Sequence, residues 1–148
     1  MNTVSDDEIV AMLRTRSSPA LRMIAGEVVD FDQARQEVTM RFEATAQMCH
    51  SKVIVQGGFI TAMVDSAMAH AAMGCYAGRV AVPTLEIKVS FLEAGNPGPM
   101  RAKARAVRLG KSVGFLEAWL YQRERLIATA TSTIRIIVVA VAISRSRW

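Results

Sequence analysis

Between Glu37 and Ala44 apolar and polar residues alternate, with Val38, Met40 and Phe42 on one side of the chain and Thr39, Arg41 and Glu43 on the other. That two-residue period predicts a half-buried strand. A similar alternation runs from Leu21 to about Asp30, and "DFDQARQ" between the two runs predicts a hairpin with a longish connection. Upstream, "SDDEIVAMLRT" (5–15) has Ser5 as a candidate cap, acidic residues in its first turn and apolar residues at Ile9, Met12 and Leu13. This is the signature of a short amphipathic helix, and "SSP" then breaks it. The segment "ATAQMCHSKVIVQ" has no period and leads to Gly57-Gly58. From Phe59 to about Tyr76 there is no proline, and no glycine before Gly74; the run is rich in Ala and Met and apolar nearly all round, which predicts one long buried helix.

After "YAG" the texture changes. Val80–Leu92, Met100–Leu109, Val113–Gln122 and Leu126–Ile137 read as four strands, separated by "EAGNPGP", "GKS" and "RER". A helix, two strands, a long helix and four strands predict an α+β fold in which an antiparallel sheet surrounds one central helix. Such a sheet leaves one helix face to be covered by something else, so an oligomer is expected. The organisation is residues 1–20 as an N-terminal helix and linker, 21–137 as the single domain, and 138–148 as an apolar, then basic, tail. For that tail the expectation is an extension of the last strand followed by a loose basic end.

The totals narrow the classes. The chain has 148 residues, 51% hydrophobic and 21% charged, which suits one globular domain rather than disorder. No run of about 18 apolar residues crosses a bilayer, and the acidic "MNTVSDDEIVAML" is unlike a secretory signal. The expectation is a cytoplasmic protein with no membrane partner. Cys49 and Cys75 have neither metal nor CxxC spacing and read as reduced, packed thiols. Residues 1–100 carry 8 Lys/Arg against 11 Asp/Glu, whereas residues 101–148 carry 10 against 2. This asymmetry points to a polyanionic partner or to a solvated basic face.

The chemistry concentrates in "VIVQGGFITAMVDSAMAH" (53–70). Two glycines at a helix start admit a close approach to backbone N–H groups that have no intrahelical acceptor, at the electropositive end of the helix. An oxygen gaining negative charge is stabilised there; alternatively, the pair packs tightly against a strand. Gln56 lies just before it, able to donate or accept. Asp65 follows Gly58 by seven residues, nearly two turns and about 10.5 Å along the axis, on the same face. That distance is too great for Asp65 to serve its own helix start. It can serve that of a second copy whose helix runs antiparallel alongside, with Ala62 and Ala69 permitting close approach. The other reading of Asp65 is a hydrogen-bonded structural carboxylate.

The segments "VIVQGGFITAMVDSAMAHAA", "VPTLEIKVSFLEAGNPG" and "RLGKSVGFLEAWLYQRERLIATATSTIRI", in that order, resemble the hotdog-fold acyl-CoA thioesterases of the phenylacetic-acid-degradation type, from about Ala25 to Ile137. The resemblance implies a long helix wrapped by an antiparallel sheet, a homodimer and commonly a dimer of dimers. It implies an acyl-CoA substrate and no cofactor beyond the coenzyme A of that substrate. The family's glycine motif falls on Gln56, Gly57 and Gly58, where a backbone N–H polarises the thioester carbonyl. Its acidic residue falls on Asp65, as nucleophile or general base from the opposite subunit, and its water-positioning hydroxyl on Thr84. The hairpin near the CoA nucleotide falls on Gly110, Lys111 and Ser112. Arg101, Lys103 and Arg105 share a face of one strand and either add to the field on the CoA phosphates or form a solvated sheet edge.

Two departures stand out. His50 occupies the place of a family Asn that hydrogen-bonds the carbonyl, and the apolar tail passes the usual end of the domain. His, Cys and acidic residues lack metal-ligand spacing, so no metal is expected. Met63, Met68 and Met73 read as core or as an adaptable acyl pocket. Three rivals compete with the hydrolase. A non-catalytic acyl-CoA binder is opposed by the presence of Asp65 and Thr84. A hotdog dehydratase lacks its His and acidic pair around the helix. A nucleic-acid binder has the charge but no motif and few aromatics in basic strands.

Overall fold

The computed structural model describes residues 4–139. Helix α1 (Asp6–Arg14) opens with a capping box: the Ser5 hydroxyl accepts from the Glu8 N–H, and the Glu8 carboxylate accepts from the Ser5 N–H. Ser18 and Pro19 do more than stop this helix. A serine cap with proline at the first helical position starts a second one, α2 (Pro19–Met23). The strand expected from Leu21 therefore begins later, as β1 (Glu27–Asp32), which pairs with β2 (Glu37–Ala44). The alternation in β2 holds, with Val38, Met40 and Phe42 all buried.

A 3-10 turn (Ala46–Met48) leads to the long helix α3 (Gly57–Cys75), then to β3 (Val80–Ala81), β4 (Thr84–Phe91), β5 (Gly98–Leu109), β6 (Val113–Gln122), β7 (Arg125–Arg135) and β8 (Ile137–Val138). The single strand expected over 80–92 is split at Val82-Pro83, since proline has no N–H for a ladder. β3 pairs with β8 in a separate two-stranded sheet, so Ile137 and Val138 do not prolong the pairing of β7. The rest of the expected tail extension, 140–148, lies outside the described residues.

The main sheet has six strands in the order β1-β2-β5-β6-β7-β4, all neighbours antiparallel. It curls around α3, which is the hotdog fold. Ala102 and Ala104 of β5 and Ala118 of β6 keep the concave face shallow, so that Met63, Val64, Ala67 and Met68 of α3 seat fully against it. Met63 and Met68 are therefore core, and Met73 packs against that core. Both cysteines are free and half-buried, and burial pushes the Cys75 thiol up to about 11, so it stays protonated.

Two features of this fold set up the site. First, α3 is not buried all round. Gly58, Thr61, Ala62, Asp65, Ser66, Ala69 and Met73 are only half-buried or exposed and recur at three- and four-residue steps, a stripe that the sheet leaves uncovered. Second, β4 ends the sheet, pairing with β7 on one side only. Its Leu85 and Phe91, and Leu92 just beyond it, are each more than half exposed. An eight-residue edge with apolar side chains is a template for pairing with another strand.

Candidate active site

The chain enters α3 through a loop that folds back on itself. Cys49 and Val55 form an isolated bridge, the His50 N–H donates to Ile54 O at 3.1 Å, and the Gln56 N–H donates to Met48 O at 2.8 Å. His50 sits exposed in this loop, ahead of the helix start. Gln56 is the N-cap, and its Oε1 accepts the Gly58 N–H at 2.8 Å. The two glycines thus have separate tasks. A Cβ at Gly58 would lie 2.6 Å from Gln56 Oε1, so its absence lets the cap fold over the helix end. A Cβ at Gly57 would lie 3.0 Å from the Phe91 ring, so its absence lets β4 close on α3. The expected pair of free donors becomes one: of the two glycines, only Gly57 has an N–H with no acceptor among the described residues.

Two turns along α3, Asp65 lies on the uncovered stripe, half-buried. The Thr84 hydroxyl, at the first residue of β4, donates to Asp65 Oδ1 at 2.8 Å. Asp65 and Thr84 are thereby brought together within one chain, and Gln56, Gly57 and Gly58 are brought together at the other end of the same helix face. The inward-facing side of β4 joins these ends, running from Thr84 beside Asp65 to Phe91 over Gly57. In front of Gly57 is an apolar cavity of about 390 Å³ whose walls include Ile54, Ile60, Phe91 and Leu92. The sequence carried no pattern for that cavity, because its walls come from two loops, the first turn of α3 and an edge strand.

Gly110, Lys111 and Ser112 form the exposed β5–β6 turn, closed by the Gly110 N–H to Val113 O at 2.8 Å, with Ser112 O accepting the Ile136 N–H at 2.8 Å. The structure does not join this turn to the Gly57 or Asp65 clusters within one chain. The basic row on β5 is not an edge, since β5 sits between β2 and β6. Two of its three cations are also answered locally: Lys103 pairs with Glu37 at 3.0 Å and Arg105 with Glu117 at 2.6 Å. Arg101 and Arg105 lie over the rings of Tyr121 and Trp119 at 5.7 and 5.5 Å. Among the described residues no three His, Cys, Asp or Glu side chains cluster as metal ligands, and no helix is long and apolar enough to cross a membrane.

The family of the acyl-CoA thioesterase N-terminal domain matches residues 44–135, a span that holds Gln56, Gly57, Gly58, Asp65 and Thr84. The chain belongs to this acyl-CoA thioesterase family. A Thermoplasma volcanium protein named as an esterase is 32% identical over 76 residues, 51% of this chain, and the match takes in only 56% of that protein. Among solved structures, a phenylacetic acid degradation-related protein of Ralstonia eutropha, described as a thioesterase, is 28% identical with a TM-score of 0.78, covering 86% of this chain and 98% of that one. The PaaI protein of E. coli, from the phenylacetic acid degradation operon, has the same fold at 18% identity and a TM-score of 0.78, over 93% of this chain and all of that one (100%).

Proposed function

We propose that this thioesterase-family chain hydrolyses the thioester of an acyl-CoA to a free carboxylic acid and CoA, at sites shared between two copies. The observation that carries this reading is the separation of Asp65–Thr84 and Gly57 at opposite ends of one unpaired edge strand. A two-fold axis through the middle of β4 sets the Thr84 end of one copy opposite the Phe91 end of the other in an antiparallel pair. That pairing brings the second copy's Asp65 to the Gly57 N–H of the first, and the reverse. Two half-sites complete each other, as an isologous interface requires. The same pairing supplies the partner that the open β4 edge and the small-residue stripe of α3 lack.

In such a site the thioester carbonyl oxygen accepts from the Gly57 N–H, where the helix dipole also favours the negative charge of a tetrahedral intermediate. The exposed Gln56 amide nitrogen and His50 lie at the same helix end as further donors to that oxygen. Thr84 holds one oxygen of Asp65 and leaves the other for chemistry. Acting as a base, that oxygen takes a proton from water as the water oxygen bonds the carbonyl carbon; the intermediate then expels CoA thiolate, which recovers the proton. Acting as a nucleophile, it bonds the carbonyl carbon itself, expels the thiolate and forms an anhydride that water cleaves. Hydrolysis in ¹⁸O-water under single turnover tests the anhydride route: water attacking the aspartyl carbonyl puts label in Asp65 and leaves the product acid unlabelled. The apolar cavity before Gly57 suits an uncharged acyl group, and the exposed Lys111 turn is a candidate contact for the CoA nucleotide. The cytoplasm is the expected compartment, and a dimer of dimers the expected assembly.

The test is free-thiol release from short, medium, long and aryl acyl-CoAs by the parent and by Asp65→Asn. Turnover that the substitution reduces by orders of magnitude supports a hydrolase. Tight binding of every acyl-CoA without thiol release would instead indicate a non-catalytic binder on the same fold.

A further inference from the structure

Gln122, at the end of β6, is a buried polar residue, 6% exposed, and the thioesterase reading gives it no task. Its side chain does not pair with another side chain. Its Oε1 accepts the Asn96 N–H at 2.9 Å, and its Nε2 donates to Asn96 O at 2.7 Å. A single amide thus satisfies both backbone groups of one loop residue, as a neighbouring strand would. The side chain of Asn96 reaches the other way, its Nδ2 donating to Val53 O at 2.7 Å. One residue earlier, Gly95 O accepts the Val55 N–H at 2.9 Å. A Cβ at Gly95 would lie 2.8 Å from Met100 Cε and 3.1 Å from Ile60 Cδ1, so a side chain there would displace these two side-chain ends.

These bonds link the two walls of the apolar cavity before Gly57. One wall is Ile54 and Val55, on the loop that enters α3; the other is Leu92 to Gly95, on the loop that leaves β4. The far wall is also fixed at its start, where the Leu92 and Glu93 N–H groups both donate to Ile127 O, at 2.8 and 3.2 Å, and Glu93 pairs with Arg125 at 2.9 Å. Between the walls, the only side-chain bond from one loop to the other is Asn96 to Val53, among the described residues.

We propose that Asn96 and Gln122 are positioning residues that set the spacing of these two walls, and so decide how large an acyl group is held in front of Gly57. Gln122 fixes the Asn96 backbone from the sheet, and Asn96 passes that position to the Val53 carbonyl. This rests on the acyl-CoA reading above, but it concerns selectivity rather than the chemical step.

The experiment compares the parent, Asn96→Ala and Gln122→Met for binding of the thioethers S-methyl-CoA and S-hexyl-CoA by calorimetry, and for hydrolysis of acetyl-CoA and hexanoyl-CoA. In the parent, the hexyl ligand binds more tightly than the methyl one. In Asn96→Ala, which leaves the Gln122 clamp intact, hexyl affinity falls and the KM for hexanoyl-CoA rises, each about fivefold to tenfold, as loss of one hydrogen bond implies. Methyl affinity stays within about twofold, as does kcat on both substrates. Parental hexyl-to-methyl ratios in Asn96→Ala would overturn the proposal, as would equal losses for both ligands, which mark a merely structural role. Because thioethers are not hydrolysed, the binding arm reads out even if the parent turns over no thioester, a result that defeats the hydrolase reading alone. If Gln122→Met does not fold, Asn96→Ala still decides.

Discussion

Thr84 holds Asp65 by a 2.8 Å hydrogen bond that spans the first residue of an edge strand and the middle of the central helix. The bond occupies one carboxylate oxygen and fixes the plane of the other. Thr84→Val removes that restraint while keeping the side-chain shape. Hydrogen bonds to charged groups are worth about 1.5–3 kcal/mol, so kcat is expected to fall roughly tenfold to a hundredfold with little change in KM. Thr84→Ser restores most of the loss. Steady-state kinetics on one acyl-CoA checks both.

Complementation tests the shared site. Asp65→Asn alone and Gly57→Val alone each abolish both sites of a homodimer. A heterodimer of the two keeps one site with a parental Gly57 and a parental Asp65. Unfolding and refolding an equal mixture is expected to recover about a quarter of parental activity, the statistical yield for an isologous pair. Recovery no greater than that of the separate variants would place both groups in one chain's site.

Leu85 lies on the open edge, 59% exposed. Leu85→Glu puts like charges near the seam of a β4–β4 pair. Sedimentation is expected to show a shift towards monomer at micromolar protein, with activity lost in proportion to the dimer.

His70 gives a pH signature. It is buried on α3, and its Nδ1 lies 2.7 Å from Ser66 O, so Nδ1 carries the proton while Nε2 is buried with no partner among the described residues. Burial lowers the pKa of His70 below 6.5, outweighing the Ser66 carbonyl, which acts to raise it. The folded state therefore binds this proton less readily than the unfolded one. Stability is fully present above about pH 6.5 and is lost as pH falls from there towards the lower folded value. In denaturant titrations at pH 7.5 and 5.5, His70→Leu is expected to flatten the decline seen in the parent.

Gln56 serves both the cap of α3 and the proposed donor set at its start. Gln56→Ala deletes the acceptor of the Gly58 N–H, and loss of an N-cap typically costs about 1 kcal/mol. The expected result is a lower denaturation midpoint together with a lower kcat, the second because the Gln56 amide is a proposed donor to the carbonyl oxygen.

The sequence made the central helix legible through its long apolar run without proline, β2 through its two-residue alternation, and β6 through the turns on either side of it, with bounds at Val113 and Gln122 as expected. Ser18-Pro19 was harder. The same residues that end one helix begin another, and only packing of Leu21 distinguishes the two. β4 reads as a strand from its β-branched residues, but its place at the sheet edge depends on long-range pairing that no local pattern encodes. The Asp65 and glycine positions stand out because a charge and two glycines are conspicuous in an apolar helix. That Gln56 takes one of the two glycine donors, and that Asn96 and Gln122 tie the cavity walls, are matters of side-chain direction, which spacing leaves open.

Strand β4 has one further consequence. Its eight residues hold the carboxylate's hydroxyl partner at one end and the glycine's ring partner at the other, and its free edge is the seam proposed for the dimer. A change of acyl preference through Phe91 alters the end of that seam, and a change of seam alters how each carboxylate meets the glycine across from it. On the proposed pairing, selectivity and quaternary structure in this chain are not independent variables, and directed evolution of one is expected to be constrained by the other.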